Sequence, residues 1–362
     1  MSYNILQSTG INNGDGLDTR ILITVATAIV ATCYFFLMRD NNNNNNNNNS
    51  SSSKKNKLPY KVSGNKFLNS TRKQVELIEK EDITHDVRRF RFALPKSAPV
   101  LGLPLGKCIK VYVPNIAAGH EEWNPVPESQ RGPARPKDYG SGEGDFKKET
   151  GEWREEIVRK YTPCSLDCDV NYFDLILKVY FKDVNKRFPN GGKVSQYMNS
   201  LQVGDELQIA GPYGHIEYYG RSSWKKYGNN KTKLGMIAGG TGVTPMLQII
   251  KAILLDKEND QTEISLLFAN QTEDDILIRD MLEDWAMEYK DRFKIWYTLD
   301  RPPKDWEYST GFIDDKMIDT HMPKPSNETL ILLCGPPPMI KFACKPNLEK
   351  LGYDMKKMVA AF

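Results

Sequence analysis

Cysteine is sparse and unclustered in this sequence. Six cysteines (Cys33, Cys108, Cys164, Cys168, Cys334, Cys344) are scattered through 362 residues. That excludes the dense bridging of a small secreted domain and fits reduced thiols on a cytosol-facing protein. Cys164 and Cys168 stand four apart, yet no second pair and no nearby histidine completes a zinc set, so no metal is expected. An excess of one charge is also missing. A formal net charge of +3 argues against a nucleic-acid partner, and no basic run is interleaved with stacking aromatics. The length is enough for two domains of ordinary size, each with its own core.

The N-terminus is different in kind. Ile21 to Met38 (ILITVATAIVATCYFFLM) is an uncharged run bracketed by Arg20 and Arg39. At about 1.5 Å per helical residue it spans roughly 27 Å, enough for a thin bilayer. A cleaved signal peptide is the competing reading. The charged region ahead of the run is weak for that, and aromatics stand where small residues precede a cleavage site. Residues 1–40 are therefore expected to be an uncleaved transmembrane anchor. Lys54, Lys55, Lys57 and Lys61 follow it, whereas Asp15 and Asp18 precede it, which puts the C-terminal part in the cytosol. Residues 41–70, an asparagine tract followed by serines and lysines, contain too little apolar surface to form a core and read as a disordered tether.

Residues 71–222 carry short strand signals separated by turns: VELIEKEDI, VRRFRFAL, CIKVYVP, YFDLILKVYF and DELQIAGPYG. Strands of that kind at that density predict a small antiparallel barrel. One long insertion, residues 115–156, is rich in Gly, Pro and charge. Over residues 230–362 the pattern changes. The apolar runs LGMIAGG, EISLLFAN, RFKIWYTLD and TLILLCG alternate with the helical patterns MLQIIKAILLDKE and DILIRDMLEDWAMEYKD. That alternation predicts an α/β domain on a parallel sheet, with a ligand at the carboxyl ends of its strands.

Four loops concentrate the chemistry. RKYTPCS (Arg159–Ser165) reads as a strand end running into a turn, because Pro163 cannot sit inside a central strand. Its arginine suits a phosphate, and its hydroxyls and N–H groups suit a planar polar ring; a surface ion pair beside a turn is the plain alternative. In GGKVSQYM, Gly192, Lys193 and Ser195 open a helix in a manner suited to a second phosphate group. IAGGTGVTPM leaves a strand and enters a helix. Gly239, Gly240 and Gly242 are expected to let the backbone approach a ligand, and Thr244 to cap the helix with Pro245 at its first position; a tight turn without ligand is the alternative. In CGPPPM the prolines stiffen a loop that offers the Cys334 thiol to a flat ligand, or else simply buries it. Asp300, at the end of KIWYTLD, is placed to bond ribose hydroxyls and repel an extra 2′-phosphate, or to start a turn.

The order of these motifs closely resembles the NADH–cytochrome b5 reductase family, within the ferredoxin–NADP reductase superfamily. The resemblance runs from about Gln74 to Phe362 through HDVRRFRFALP, LGLPLGK, RKYTPCS, LILKVYFKD, FPNGGKVSQYM, GMIAGGTGVTPMLQ, LLFANQTEDDILIR, FKIWYTLDRPP and CGPPPMIKFACKPNL. It implies FAD against the barrel and NADH against the second domain, with a hydride passing to flavin N5 and single electrons to cytochrome b5. Carried over, Arg159 and the Gly192, Lys193, Val194, Ser195 loop hold FAD phosphates. Tyr161, Thr162 and Ser165 lie by the flavin, and Lys178, Val179 and Tyr180 line the FAD and nicotinamide side. Gly240, Thr241, Gly242, Thr244, Pro245, Asp300, Cys334, Pro336 and Met339 serve FAD closure or NADH. Thr162, Lys178 and Cys334 stand nearest the reaction. The resemblance further implies a monomer anchored in the endoplasmic reticulum or the mitochondrial outer membrane. A quinone or ferric-chelate reductase, and a catalytically silent membrane scaffold, are the alternatives. Three departures stand out: Lys160 where the family has proline, Cys108 where it has histidine, and the 115–156 insertion, where Trp123, Tyr139 or Trp153 are candidates to cover the adenine of FAD.

Overall fold

A computed structural model describes residues 58–115, 156–184 and 189–362. The Ile21–Met38 run, the tether up to residue 57, the interior of the insertion and Lys186 lie outside the described residues. Among the described residues no helix is long and apolar enough to cross a membrane.

The first lobe is a six-stranded antiparallel sheet of β1 (Lys73–Asp82), β2 (Val87–Ala93), β3 (Cys108–Pro114), β4 (Glu156–Tyr161), β5 (Tyr172–Lys178) and β6 (Glu206–Tyr213). The strand order is β4-β3-β6-β1-β2-β5. Period-two alternation explains β3: Ile109, Val111 and Val113 are buried, while Lys110 and Tyr112 face outward. Phe90 and Phe92 of β2 point into the same core, where Phe92 stacks on Phe173 at 5.3 Å. Burying each of these rings stabilises the lobe by roughly 2–3 kcal/mol. The intervening Arg89 and Arg91 are neutralised by Glu79, Glu81 and Asp174.

The expected barrel does not close. Among the described residues no ladder joins the edge strands β4 and β5. The cause lies in RKYTPCS. Pro163 has no N–H to donate, so pairing stops at Tyr161, and the next residues cross the gap instead. Cys164 N–H donates to the Asp174 carbonyl at 3.0 Å, and Asp174 N–H donates to Ser165 Oγ at 3.1 Å.

Helix α1 (Lys193–Ser200) lies against β4, and the small hairpin β7 (Tyr218–Gly220) and β8 (Ser223–Trp224) leads into the second lobe. That lobe is a parallel sheet of β9 (Lys233–Gly239), β10 (Glu263–Asn270), β11 (Phe293–Leu299), β12 (Ser309–Thr310), β13 (Thr329–Cys334) and β14 (Val359–Ala361), in the order β12-β11-β10-β9-β13-β14. Its helices are α2 (Val243–Leu255), α3 (Arg279–Glu288), α4 (Asp315–His321) and α5 (Lys345–Lys350). Strands β9, β10 and β13 are nearly continuous apolar runs because helices cover both faces. The chain moves outward one way from β9 through β10 to β12, then returns to β13 on its other side. This reversal opens a crevice at the carboxyl ends of β9 and β13.

Candidate active site

The loops after β9 and β13 meet at that crevice, and their glycines divide by role. A Cβ on Gly242 would lie 2.2 Å from the Cys334 carbonyl oxygen, and one on Gly239 would lie 2.6 Å from Met339 Sδ and 2.9 Å from Pro336 Cδ. These two glycines therefore let GGTG and CGPPPM pack on each other, a requirement separate from the expected approach of the backbone to a ligand. Gly240 meets no such neighbour. It has φ +53° and nothing within 4 Å of its Cβ position, so this turn at the end of β9 has open space beside its backbone. Thr244 does not cap the helix. A short 3₁₀ turn over Gly240–Gly242 makes Gly242 the cap position, and the Thr244 hydroxyl donates back to the Thr241 carbonyl at 3.1 Å. Pro245 accordingly falls inside the first turn of α2, two residues past its start.

Cys334 ends β13 half-buried. Burial, and next to it the Cys108 thiol of the first lobe, push its thiol up to about 12, so it is a neutral S–H at physiological pH. Asp300 stands exposed just beyond β11, its N–H donating to the Asn270 carbonyl at 3.1 Å. Partial burial holds its carboxyl above the ordinary value, with Arg301 pulling it down and Asp275 pushing it up.

On the first lobe, α1 brings the Gly192–Ser195 turn to the strand that carries Arg159. The turn is shaped by Tyr180: Gly192 N–H donates to the Tyr180 carbonyl at 2.7 Å, and Ser195 Oγ accepts the Tyr180 N–H at 3.1 Å and donates to the Gly192 carbonyl at 2.9 Å. A side chain at Gly191 (φ +63°) would place Cβ 2.3 Å from the same Tyr180 oxygen. The Ser195 and Ser165 hydroxyls are thus buried within these stitches. Val194 and Val179 belong to the core, and the Tyr180 ring is 46% exposed above it. Burial raises the Tyr161 phenol.

Several residues that sequence reasoning missed hold the lobes together. Gln248, on the mostly apolar α2, accepts Gly106 N–H at 2.8 Å and donates to the Pro163 carbonyl at 3.5 Å. Lys251, one turn on, donates to the Cys164 carbonyl at 3.3 Å and pairs with Asp169 at 3.7 Å. RKYTPCS is therefore pinned from the second lobe, and two polar residues interrupting MLQIIKAILL were the available signal. Lys178 bridges the lobes as well: its ammonium pairs with Asp86 at 2.6 Å and with Asp275. Asp275 is held in a capping box with Thr272. His85, Asp86 and Asp275 offer ligand atoms within 4.8 Å of one another, but the Lys178 ammonium already pairs with both carboxylates at that place. Two cavities of about 410 and 330 Å³ share no residue with these loops.

The donor set suits a flavin dinucleotide on one lobe and a nicotinamide dinucleotide on the other. An arginine on the strand beside a helix start serves a pyrophosphate, and a glycine turn with a carboxylate two strands away along the same sheet edge serves a second dinucleotide. Comparisons with known proteins agree. Residues 74–130 and 148–218 match the family described as Oxidoreductase FAD-binding domain, and residues 236–345 match Oxidoreductase NAD-binding domain. The chain is 46% identical over 285 residues to NADH-cytochrome b5 reductase 2 of Gallus gallus, covering 76% of this chain and 81% of that protein. It is 43% identical to nitrate reductase [NADH] 1 of Oryza sativa subsp. japonica, covering 82% of this chain but only 29% of the plant enzyme's length. The crystal structure of the cytochrome b5 reductase domain of Ulva prolifera nitrate reductase superposes with a TM-score of 0.68 at 40% identity, covering 82% of this chain and 99% of that domain. This chain belongs to the NADH–cytochrome b5 reductase family of FAD- and NAD-binding oxidoreductases.

Proposed function

We propose that the protein draws electrons from NADH through FAD and delivers them singly to a haem protein of the cytochrome b5 class. One arrangement supports this above the others: the open side of Gly240, Cys334 and Asp300 lines the strand ends of one lobe, and α2 of that lobe pins the RKYTPCS edge of the other. FAD, when bound, supplies the conversion of a two-electron hydride donor into single-electron steps. The chain's own part is positioning. Arg159 and the start of α1 at Gly192, Lys193, Val194 and Ser195 hold the FAD pyrophosphate, Gly192 by its lack of a side chain, since its N–H is taken by the Tyr180 carbonyl. Tyr161, Thr162, Ser165, Val179 and Tyr180 set the flavin plane. The Gly240, Thr241, Gly242 turn, with Thr244 and Pro245 behind it, receives NADH, and Asp300 takes its ribose. Cys334, Pro336 and Met339 wall the nicotinamide. A neutral Cys334 thiol adds no charge beside the hydride path. Lys178 controls how closely the lobes approach.

The same reading places residues 1–40 as an anchor in the endoplasmic reticulum or the mitochondrial outer membrane. It puts the catalytic lobes of a monomer on the cytosolic side, at the end of the 41–70 tether. A second acceptor class has one specific support: nitrate reductase [NADH] 1 of Oryza sativa subsp. japonica shares this region at 43% identity, within a protein of which this chain spans only 29%. The deciding experiment is purification of the full chain, a flavin spectrum, and NADH-dependent rates with cytochrome b5, a quinone and a ferric chelate compared. A colourless protein that ignores NADH refutes the proposal and leaves the scaffold. A yellow protein at least as fast with the other acceptors refutes the cytochrome assignment.

A further inference from the structure

We propose that Asn270, the last residue of the EISLLFAN run and one given no role above, is a further NADH-binding residue whose side-chain amide holds the ADP-ribose half of the cofactor; this rests on the proposed NADH site. Asn270 is the last residue of β10 and only 7% exposed, yet neither its amide nitrogen nor its side-chain oxygen has a hydrogen-bond partner within the protein. A buried amide without partners is destabilising, and such groups are rare unless something else satisfies them.

Its position says what that is. Asn270 pairs in register with Leu299, and its neighbour Ala269 pairs with Gly239. Cys334, Gly240, Asn270 and Asp300 therefore stand at the ends of four adjacent strands, β13, β9, β10 and β11. Three strand spacings of about 4.8 Å separate the first from the last, roughly 14 Å in all. A dinucleotide laid from the Cys334 wall to the Asp300 carboxylate crosses Asn270 between the Gly240 turn and the ribose. The side chain is also on the correct face. Alternation puts it with Phe268, which packs on Tyr297 beneath Arg279 of α3, whereas Leu267 joins the opposite core with Ile318 and Leu348. The face of α2 and α3 is the one from which Gln248, Lys251 and Asp275 reach the first lobe. An amide both donates and accepts, so it matches a phosphate oxygen next to a ribose hydroxyl.

The test is calorimetric titration of the flavin-loaded enzyme with ADP-ribose and with nicotinamide mononucleotide, beside thermal melting without either. Asn270→Leu, close in size and apolar, should weaken ADP-ribose binding roughly tenfold, as expected for one lost hydrogen bond to a charged group. It should leave nicotinamide mononucleotide binding as in wild type and should not lower the melting temperature. ADP-ribose affinity within about twofold of wild type, or a lower melting temperature with unchanged affinity, overturns the assignment. If Asn270→Leu does not fold, Asn270→Asp decides. Its carboxylate faces the pyrophosphate, so binding should weaken further and recover partly with salt; wild-type affinity in that variant overturns the assignment. A wild-type enzyme that takes up neither ADP-ribose nor NADH refutes the NADH site itself and this assignment with it.

Discussion

Replacing Lys178 by methionine should loosen the junction between the two lobes and expose its electrostatic origin. The side chains of Lys178, Asp86 and Asp275 are 20%, 12% and 13% exposed, so the triad is neither a surface pair nor a fully dry one. Surface pairs contribute about 0–1 kcal/mol, and removing one partner of a buried pair costs about 3–5 kcal/mol. Methionine keeps the length and apolar stem but leaves two carboxylates facing each other, so a loss of about 2–3 kcal/mol is expected. For a protein of this size that lowers the melting temperature by roughly 4–10 °C. The pH dependence is the sharper signature. Burial raises Asp275, but the hydrogen bonds from Lys178 and Thr272 outweigh it and hold the carboxyl below its ordinary value. Its contribution is thus present above the unfolded-state pKa and is lost as pH falls through the folded one. Lys178 is shifted upward: burial lowers it, but Asp275 and Asp86 raise it more. Its contribution is full below the unfolded-state value and is lost as pH rises through the folded one. The gap between wild type and Lys178→Met should therefore be widest from about pH 5 to 9 and narrow on both sides. Thermal melts by circular dichroism across that range measure it. A gap under about 1 °C at neutral pH, or one independent of pH, refutes the argument.

Other outcomes follow from single residues. Gly242→Ala should destabilise the second lobe by about 1–3 kcal/mol in urea unfolding, because its Cβ meets the Cys334 carbonyl at 2.2 Å; unchanged stability would mean the two loops separate easily. Arg159→Ala should weaken FAD retention roughly ten- to a hundredfold, read from flavin occupancy after dialysis, and full occupancy would remove Arg159 from the pyrophosphate site. Asp300→Thr should narrow a preference for NADH over NADPH, and equal kcat/KM for the two in wild type would sink the role of that carboxylate. Deleting residues 1–53 should yield a soluble enzyme that keeps NADH–ferricyanide activity but reduces membrane-bound cytochrome b5 poorly, since tethering raises the effective concentration of the partner. A truncated protein still bound to membranes would refute the anchor.

Much of this architecture was legible from local pattern. Strand β3 matches CIKVYVP and β10 matches EISLLFAN because alternation and continuous apolar runs report one-sided and two-sided burial directly. The switch from short strands to strand–helix alternation likewise announced an antiparallel lobe and then a parallel one. Contacts between distant segments were not legible. The requirement for Gly239 and Gly242 comes from a loop about a hundred residues away, and sequence alone cannot separate a glycine facing a ligand from one facing another backbone. Thr244 looked like a cap until the 3₁₀ turn moved the helix start.

Local composition determined which residues could hold phosphate, ring and ribose, because those chemistries require particular side chains at strand ends and helix starts. Only the tertiary structure decided which of them face the crevice and which are used internally. It left the sheet of the first lobe open where Pro163 ends the ladder. It set Gln248, Lys251 and Lys178 to join the lobes, and it left the Asn270 amide without a partner at the strand ends. The physical reason is that hydrogen bonding and close packing are satisfied over the whole fold, so a residue's partner is set by sheet order and register and not by its neighbours in sequence.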